Sequence, residues 1–71
     1  MKEHDVVKLK TDDKKLGLTT ENRGVIVDVL VPGEVFTVEF FDKDHNTIMD
    51  SLFTEFTVDQ LELVQTYEDV Q

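Results

Sequence analysis

Apolar residues along this chain fall into short runs with a period of two, not along a helical stripe, and the runs are separated by polar turns. Asp5–Lys10 predicts a first strand with Val7 and Leu9 on one side and Val6 and Lys8 on the other. The strongest signal is Arg23 to Phe41, where the runs Val25–Val31 and Val35–Phe41 flank Pro32-Gly33-Glu34. Two β-rich runs around so tight a connection predict a hairpin. Pro32 sets φ for the second turn position and Gly33 supplies the positive φ that a type II turn needs after it. In the first arm Val25, Val27, Val29 and Val31 share a face opposite Ile26, Asp28 and Leu30. In the second arm Phe36, Val38 and Phe40 share one. Asp28 and Glu39 mark the wetter faces, so the predicted core is Val25, Val27, Val29, Phe36, Val38 and Phe40. Apolar residues on both faces of the first arm imply that a loop or terminus covers part of its outside. Gly24 fits either a positive φ or a close approach where loop meets strand.

The rest of the pattern fills in around that hairpin. Thr11 to Asn22 is a polar connection longer than an ordinary hairpin loop, with Leu16 and Leu18 as its natural anchors. Helix competes over Asp12–Leu16, for one turn at most. Asp42 to Asn46 is turn chemistry, because Asp, Asn and His tolerate left-handed backbone. Thr47–Thr54 predicts the next strand, with Ile48 and Leu52 opposed to Met49 and Phe53 and the inward side left open. Thr57 to Leu61 reads as a helical turn capped by the Thr57 hydroxyl. Glu62–Val64 would close the sheet, and Gln65–Gln71 is a polar tail expected to fray. Together these elements predict one all-β domain over residues 1–71. It is a small SH3-like barrel of about five antiparallel strands, with a long first loop and one helical turn before the last strand.

Composition narrows the class of role. A chain of 71 residues is near the lower limit for folding without metal or disulfide support, and it has no cysteine for a disulfide, thiolate site or nucleophile. No apolar run approaches the roughly 20 residues that span a bilayer, and the first residues lack a signal-peptide core, so a cytoplasmic protein is expected. Sixteen Asp and Glu against seven Lys and Arg give a formal net charge of −9. Residues 1–43 hold nine of the acids and all seven bases, whereas 44–71 hold seven acids and no Lys or Arg. Such a balance repels phosphate backbones and anionic membranes, which disfavours a direct nucleic-acid or membrane binder. It fits a solvated acidic face, or an acidic surface that docks on a basic partner such as the substrate groove of a nuclease.

Candidate chemistry is sparse. His4 and His45 have no ligand partner at motif spacing, and Ser51, the only serine, lacks a nucleophile-elbow context. Asp42, Asp44 and Asn46 alternate like early EF-hand ligands, but Thr47 stands where glycine is needed and the distal Glu is absent. Asp12-Asp13 before Lys14-Lys15 reads as a solvated, locally paired loop. No catalytic residue, metal or cofactor is expected, and the chain does not read as an enzyme. The aromatics carry more. Phe36, Phe40 and Phe53 belong to the predicted core, whereas Phe41, Phe56 and Tyr67 are harder to bury by alternation. They either pack under the long loop and the tail or form an exposed patch beside acids, the makeup of a protein-binding surface. The lack of Trp argues against a polyproline groove.

Several stretches resemble a known family. Asp5 to Leu9, Gly24 to Val29, Val38-Glu39-Phe40, Asp42 to Ile48 and Asp59 to Val64 are similar to the bacterial domain-of-unknown-function family 4926, over roughly residues 3–64. The resemblance implies a small interaction module with no catalytic residues to carry over. Members that accompany toxin-like proteins imply an antitoxin or immunity role. The functional expectation is therefore a non-enzymatic module that binds a basic protein partner through Phe41, Asp50, Glu55, Phe56 and Asp59. The alternative is a small structural or accessory subunit of a larger assembly. A ribosomal or transcription module of KOW type is disfavoured by the acidity unless its contact is protein to protein.

Overall fold

The computed structural model describes residues 1–67. Five strands, β1 (Val6–Leu9), β2 (Gly24–Val31), β3 (Val35–Phe40), β4 (Glu55–Thr57) and β5 (Leu61–Gln65), form one antiparallel sheet in the order β4-β3-β2-β1-β5. Successive strands are neighbours except β5, which returns to pair with β1. Two 3-10 turns, η1 (Met49–Phe53) and η2 (Val58–Gln60), sit before β4 and β5. The all-β architecture, the long first loop and the helical turn before the last strand are those the sequence pattern predicts.

The core gathers one face of this sheet. Val7, Leu9, Leu18, Ile26, Phe36, Val38, Phe40, Phe56 and Leu61 are buried, and the Phe40 and Phe56 rings meet edge to face with centroids 5.3 Å apart. Burial of each Phe contributes roughly 1.5–3 kcal/mol, a large share for so small a domain. The alternation read for β1 and β3 holds. β2 differs, because its register shifts in mid-strand: Ile26 opposes Val38, but Asp28 opposes Thr37, leaving Val27 as an extra residue. Such a bulge reverses which side chains point inward. Ile26 is therefore core before the bulge and Val29 packs against the core after it, whereas Val25 is only half-buried and Val27 is exposed. This also accounts for an arm that is apolar on both faces.

Gly24 serves a close approach. A Cβ there would lie 2.6 Å from Val38 Cγ1 and 2.8 Å from Phe40 Cδ1. At the far end of the hairpin Gly33 has φ +74°, and Glu34 N–H donates to Val31 O at 2.9 Å, closing the predicted turn around Pro32-Gly33. The first loop is anchored as expected, with Leu18 buried and Leu16 against the core. Reciprocal 2.9 Å backbone bonds between Asp13 and Leu18 fold its middle into a miniature hairpin in place of a helical turn.

The segment 47–54 is not the predicted strand. Thr47 forms an isolated bridge to Phe41, and the chain then turns into η1. The cause is Ser51. Its buried hydroxyl accepts Phe40 N–H at 3.0 Å and donates to Ile48 O at 2.8 Å, occupying the place on β3 that a pairing strand would need. Phe53, assigned to the core from sequence, consequently projects outward, and Phe56 of β4 fills the interior. Gln60 Oε1 reaches back to the Thr57 backbone N–H at 2.9 Å and to its hydroxyl at 3.3 Å, which caps the start of η2, and β5 follows directly from Leu61. Gln65 still pairs with Val6, so the expected fraying does not begin there; residues 68–71 of the predicted tail lie outside the described residues.

Candidate functional site

The structure divides the five residues expected to bind a partner among three environments. Phe56 is fully buried against Phe40 and β3, so it contributes to the core and to no surface. Short β4 places it there, because its neighbours Glu55 and Thr57 alternate outward. Phe41 is half-buried at the end of β3. Asp50, Glu55 and Asp59 are exposed on η1, β4 and η2.

The aromatic that accompanies these acids is Phe53. It is 83% exposed, the highest among the exposed large hydrophobic residues described, with Met49 at 58% on the same turn. Side chains three residues apart eclipse on a 3-10 turn, so Asp50 and Phe53 share one side of η1. Glu55 opens β4 two residues later. Within residues 44–67 there are five acids, Asp44, Asp50, Glu55, Asp59 and Glu62, and no Lys or Arg. Sequence periodicity missed Phe53 because it assumed a strand; the signal that finds it is Ser51, whose hydroxyl competes for ladder hydrogen bonds.

Two of the seven basic residues, Arg23 and Lys43, lie elsewhere. Arg23, Phe41, Lys43 and His45 line a shallow groove between the end of the first loop and the 42–46 turn. Asn22 Nδ2 donates to Phe41 O at 2.8 Å and Phe41 N–H donates to Arg23 O at 3.0 Å, so loop and strand end are tied directly together. In the turn, Asp42 Oδ1 accepts the backbone N–H groups of Asp44 at 2.8 Å and Asn46 at 2.9 Å, and His45 takes φ 67°. That carboxylate is engaged in turn chemistry, as its sequence context predicts.

Among the described residues, one charged side chain is buried. Asp5, 2% exposed, accepts Lys2 Nζ at 2.7 Å and Tyr67 N–H at 2.8 Å on Oδ1, and Lys2 N–H at 3.0 Å on Oδ2. Burial pushes its carboxyl up, but the Lys2 ammonium, the two backbone donors and the Lys2 charge together outweigh this and hold it below its ordinary value of 3.8. His4 beside it has φ 75°, and its ring meets Tyr67 edge-on at 5.0 Å. Tyr67 is 47% exposed, so it is neither covered nor free. Ser51, His4 and His45 are thus each bound into turns or packing. Among the described residues no group of three or more His, Asp or Glu is placed to hold a metal ion, and no helix is long and apolar enough to cross a membrane.

No curated protein and no solved structure matches this chain. The family model described as a domain of unknown function (DUF4926) matches residues 3–63, which takes in all five strands to Leu63 and both 3-10 turns. The chain belongs to the DUF4926 family.

Proposed function

We infer that this protein is a non-enzymatic binding module that docks through η1 and the start of β4 on a basic protein surface, as an inhibitor of antitoxin or immunity type would. The observation that carries this reading is Phe53, a large aromatic left in water on the same side of η1 as Asp50 and followed by Glu55. Interface hot spots pair an aromatic anchor, which supplies apolar area, with polar neighbours that set orientation. Keeping Phe53 exposed contributes nothing to folding, whereas burying it against a partner gains roughly 1.5–3 kcal/mol. The acids around it, within a stretch free of Lys and Arg, select for a cationic surface and speed encounter with it. Asp50, Glu55 and Asp59 remain the charged residues assigned to the interface. Phe53 replaces Phe41 and Phe56 as its aromatic.

The test is capture from extract of the native cells by wild type and by Phe53→Ser, at about 50 and about 500 mM salt. Affinities are then measured with the purified partner. A basic protein retained by wild type, released by high salt and lost with Phe53→Ser supports the reading. A partner bound equally by Phe53→Ser and by the Asp50→Lys/Glu55→Lys variant overturns it. Retention that ignores salt but needs Phe53 would instead favour an accessory subunit held by apolar contact.

A further inference from the structure

We propose that two copies of this chain form a two-fold dimer in solution, in which their β5 strands pair antiparallel about Leu63 into one continuous sheet. The sheet order ends at β4 and at β5, so each has a strand on one side only. The two edges differ. Val58 N–H donates to Glu34 O at 2.9 Å and Phe36 pairs with Phe56, so the intervening Thr57 turns its N–H away from β3. There Gln60 Oε1 takes it at 2.9 Å, on a strand of three residues that opens with Glu55. Shortness, charge and a capped donor all keep an edge from pairing. At β5 they are missing or offset. The strand runs five residues, and Leu63 and Val64 are exposed. Its one acid, Glu62, lies 3.8 Å from Lys8 Nζ of β1, so this edge is close to neutral in a protein of −9.

Ladder geometry and charge together select the register. Lys10 N–H donates to Gln60 O at 2.9 Å, and the pairing runs on unbroken through Leu9–Leu61, Lys8–Glu62 and Val7–Leu63. Bonded pairs alternate, so Lys8–Glu62 is the next one, and the backbone groups of Leu61 and Leu63 turn away from β1. A second copy must meet these outward residues with its own. Pairing centred on Glu62 would set two carboxylates directly opposite, which is destabilising. Pairing centred on Leu61 would run into η2, whose backbone is not extended. Centred on Leu63, each Glu62 opposes Val64, each Leu61 opposes Gln65, and the two Leu63 side chains meet. The strand is thus complementary to itself in one register. Leu63 shares the face of buried Val7 and Leu61, so a second Leu63 beside it extends each core across the seam. A contact of this symmetry closes on itself and stops at two copies. It leaves η1 and β4, at the other edge of the sheet, free for the partner of the preceding section.

The experiment is sedimentation equilibrium of the full chain from about 10 µM to about 1 mM, at about 50 and about 500 mM salt, with hydrogen exchange followed at single amides. A reversible dimer of the 8.2 kDa chain, with a dissociation constant of about 10–100 µM, is expected. Salt should tighten it, because two copies of −9 repel each other, whereas it releases a basic partner. At high protein concentration the Leu63 amide should exchange about tenfold more slowly than at low concentration, since its N–H gains an acceptor in the dimer. Leu63→Glu places two carboxylates opposite each other at the centre and should weaken the dimer about tenfold or more. Phe53→Ser should leave it unchanged. If Leu63→Glu lost its fold, exchange at the wild-type Leu63 amide would decide alone. A monomer at about 1 mM, a dimer whose Leu63 amide is not slowed, or a dimer that a folded Leu63→Glu variant forms as tightly as wild type would each overturn the proposal.

Discussion

Asp5 Oδ1 accepts the backbone N–H of Tyr67 at 2.8 Å, joining residues 62 apart in sequence through a carboxylate that is 2% exposed. The same side chain accepts two donors from Lys2, and the Asp5 backbone oxygen accepts Ile26 N–H at 3.0 Å. One residue thus holds the chain start, the exit of β5 and the entry of β2 at a single point.

Asp5→Ala removes the acceptor from two backbone N–H groups and the ion-pair partner from Lys2. It should destabilise the fold by about 2–4 kcal/mol in urea denaturation, since donors to a charged acceptor are lost together. An unchanged denaturation midpoint would refute the structural role assigned to this carboxylate.

The same contact has a defined pH dependence. Folding depresses the Asp5 pKa below 3.8, so its contribution is fully present above the unfolded value and is lost as pH falls through the folded one. The stability difference between wild type and Asp5→Asn should hold steady at neutral pH and shrink below about pH 4. A difference that grows on acidification would show that the shift has the opposite sign.

Gly24→Ala and Gly33→Ala separate crowding from backbone conformation. The first drives a methyl to 2.6 Å from Val38 and should cost about 1–3 kcal/mol through overpacking. At Gly33 nothing lies within 4 Å, so only its φ of +74° matters and the cost should be about 1 kcal/mol. Equal costs by thermal unfolding would remove the argument for close approach at Gly24.

Ser51→Ala should leave Phe40 N–H without its partner in a buried setting and cost about 1–3 kcal/mol. Hydrogen exchange at the Phe40 amide should rise more than at its β3 neighbours Val38 and Thr37. Uniform change along β3 would mean that the hydroxyl does not hold η1 to the strand.

Phe53 and Phe56 make the sharpest contrast. Phe56→Ala should cost about 3–5 kcal/mol, whereas Phe53→Ser should alter stability by no more than about 0.5 kcal/mol. A large loss with Phe53→Ser would place that ring in the core and withdraw it from the proposed interface.

The sequence by itself determined whatever depends on near neighbours. Alternation in Val6–Leu9 and Phe36–Phe40, the Pro32-Gly33 turn, the Asp42–Asn46 turn and the anchoring leucines of the first loop all follow from local dihedral preference and a two-residue period. Charge segregation was equally legible, and with it the expectation of a cationic partner for Asp50, Glu55 and Asp59. Tertiary structure alone decided the rest. The bulge at Val27 belongs to a pair of strands and not to either one, so no single-strand pattern places Ile26 inside and Val27 outside. The choice of Phe56 over Phe53 for the core turned on one hydroxyl meeting a backbone N–H eleven residues away. Asp5 looks like any surface acid in the sequence, and only the return of β5 to β1 brings Tyr67 close enough to make its burial favourable.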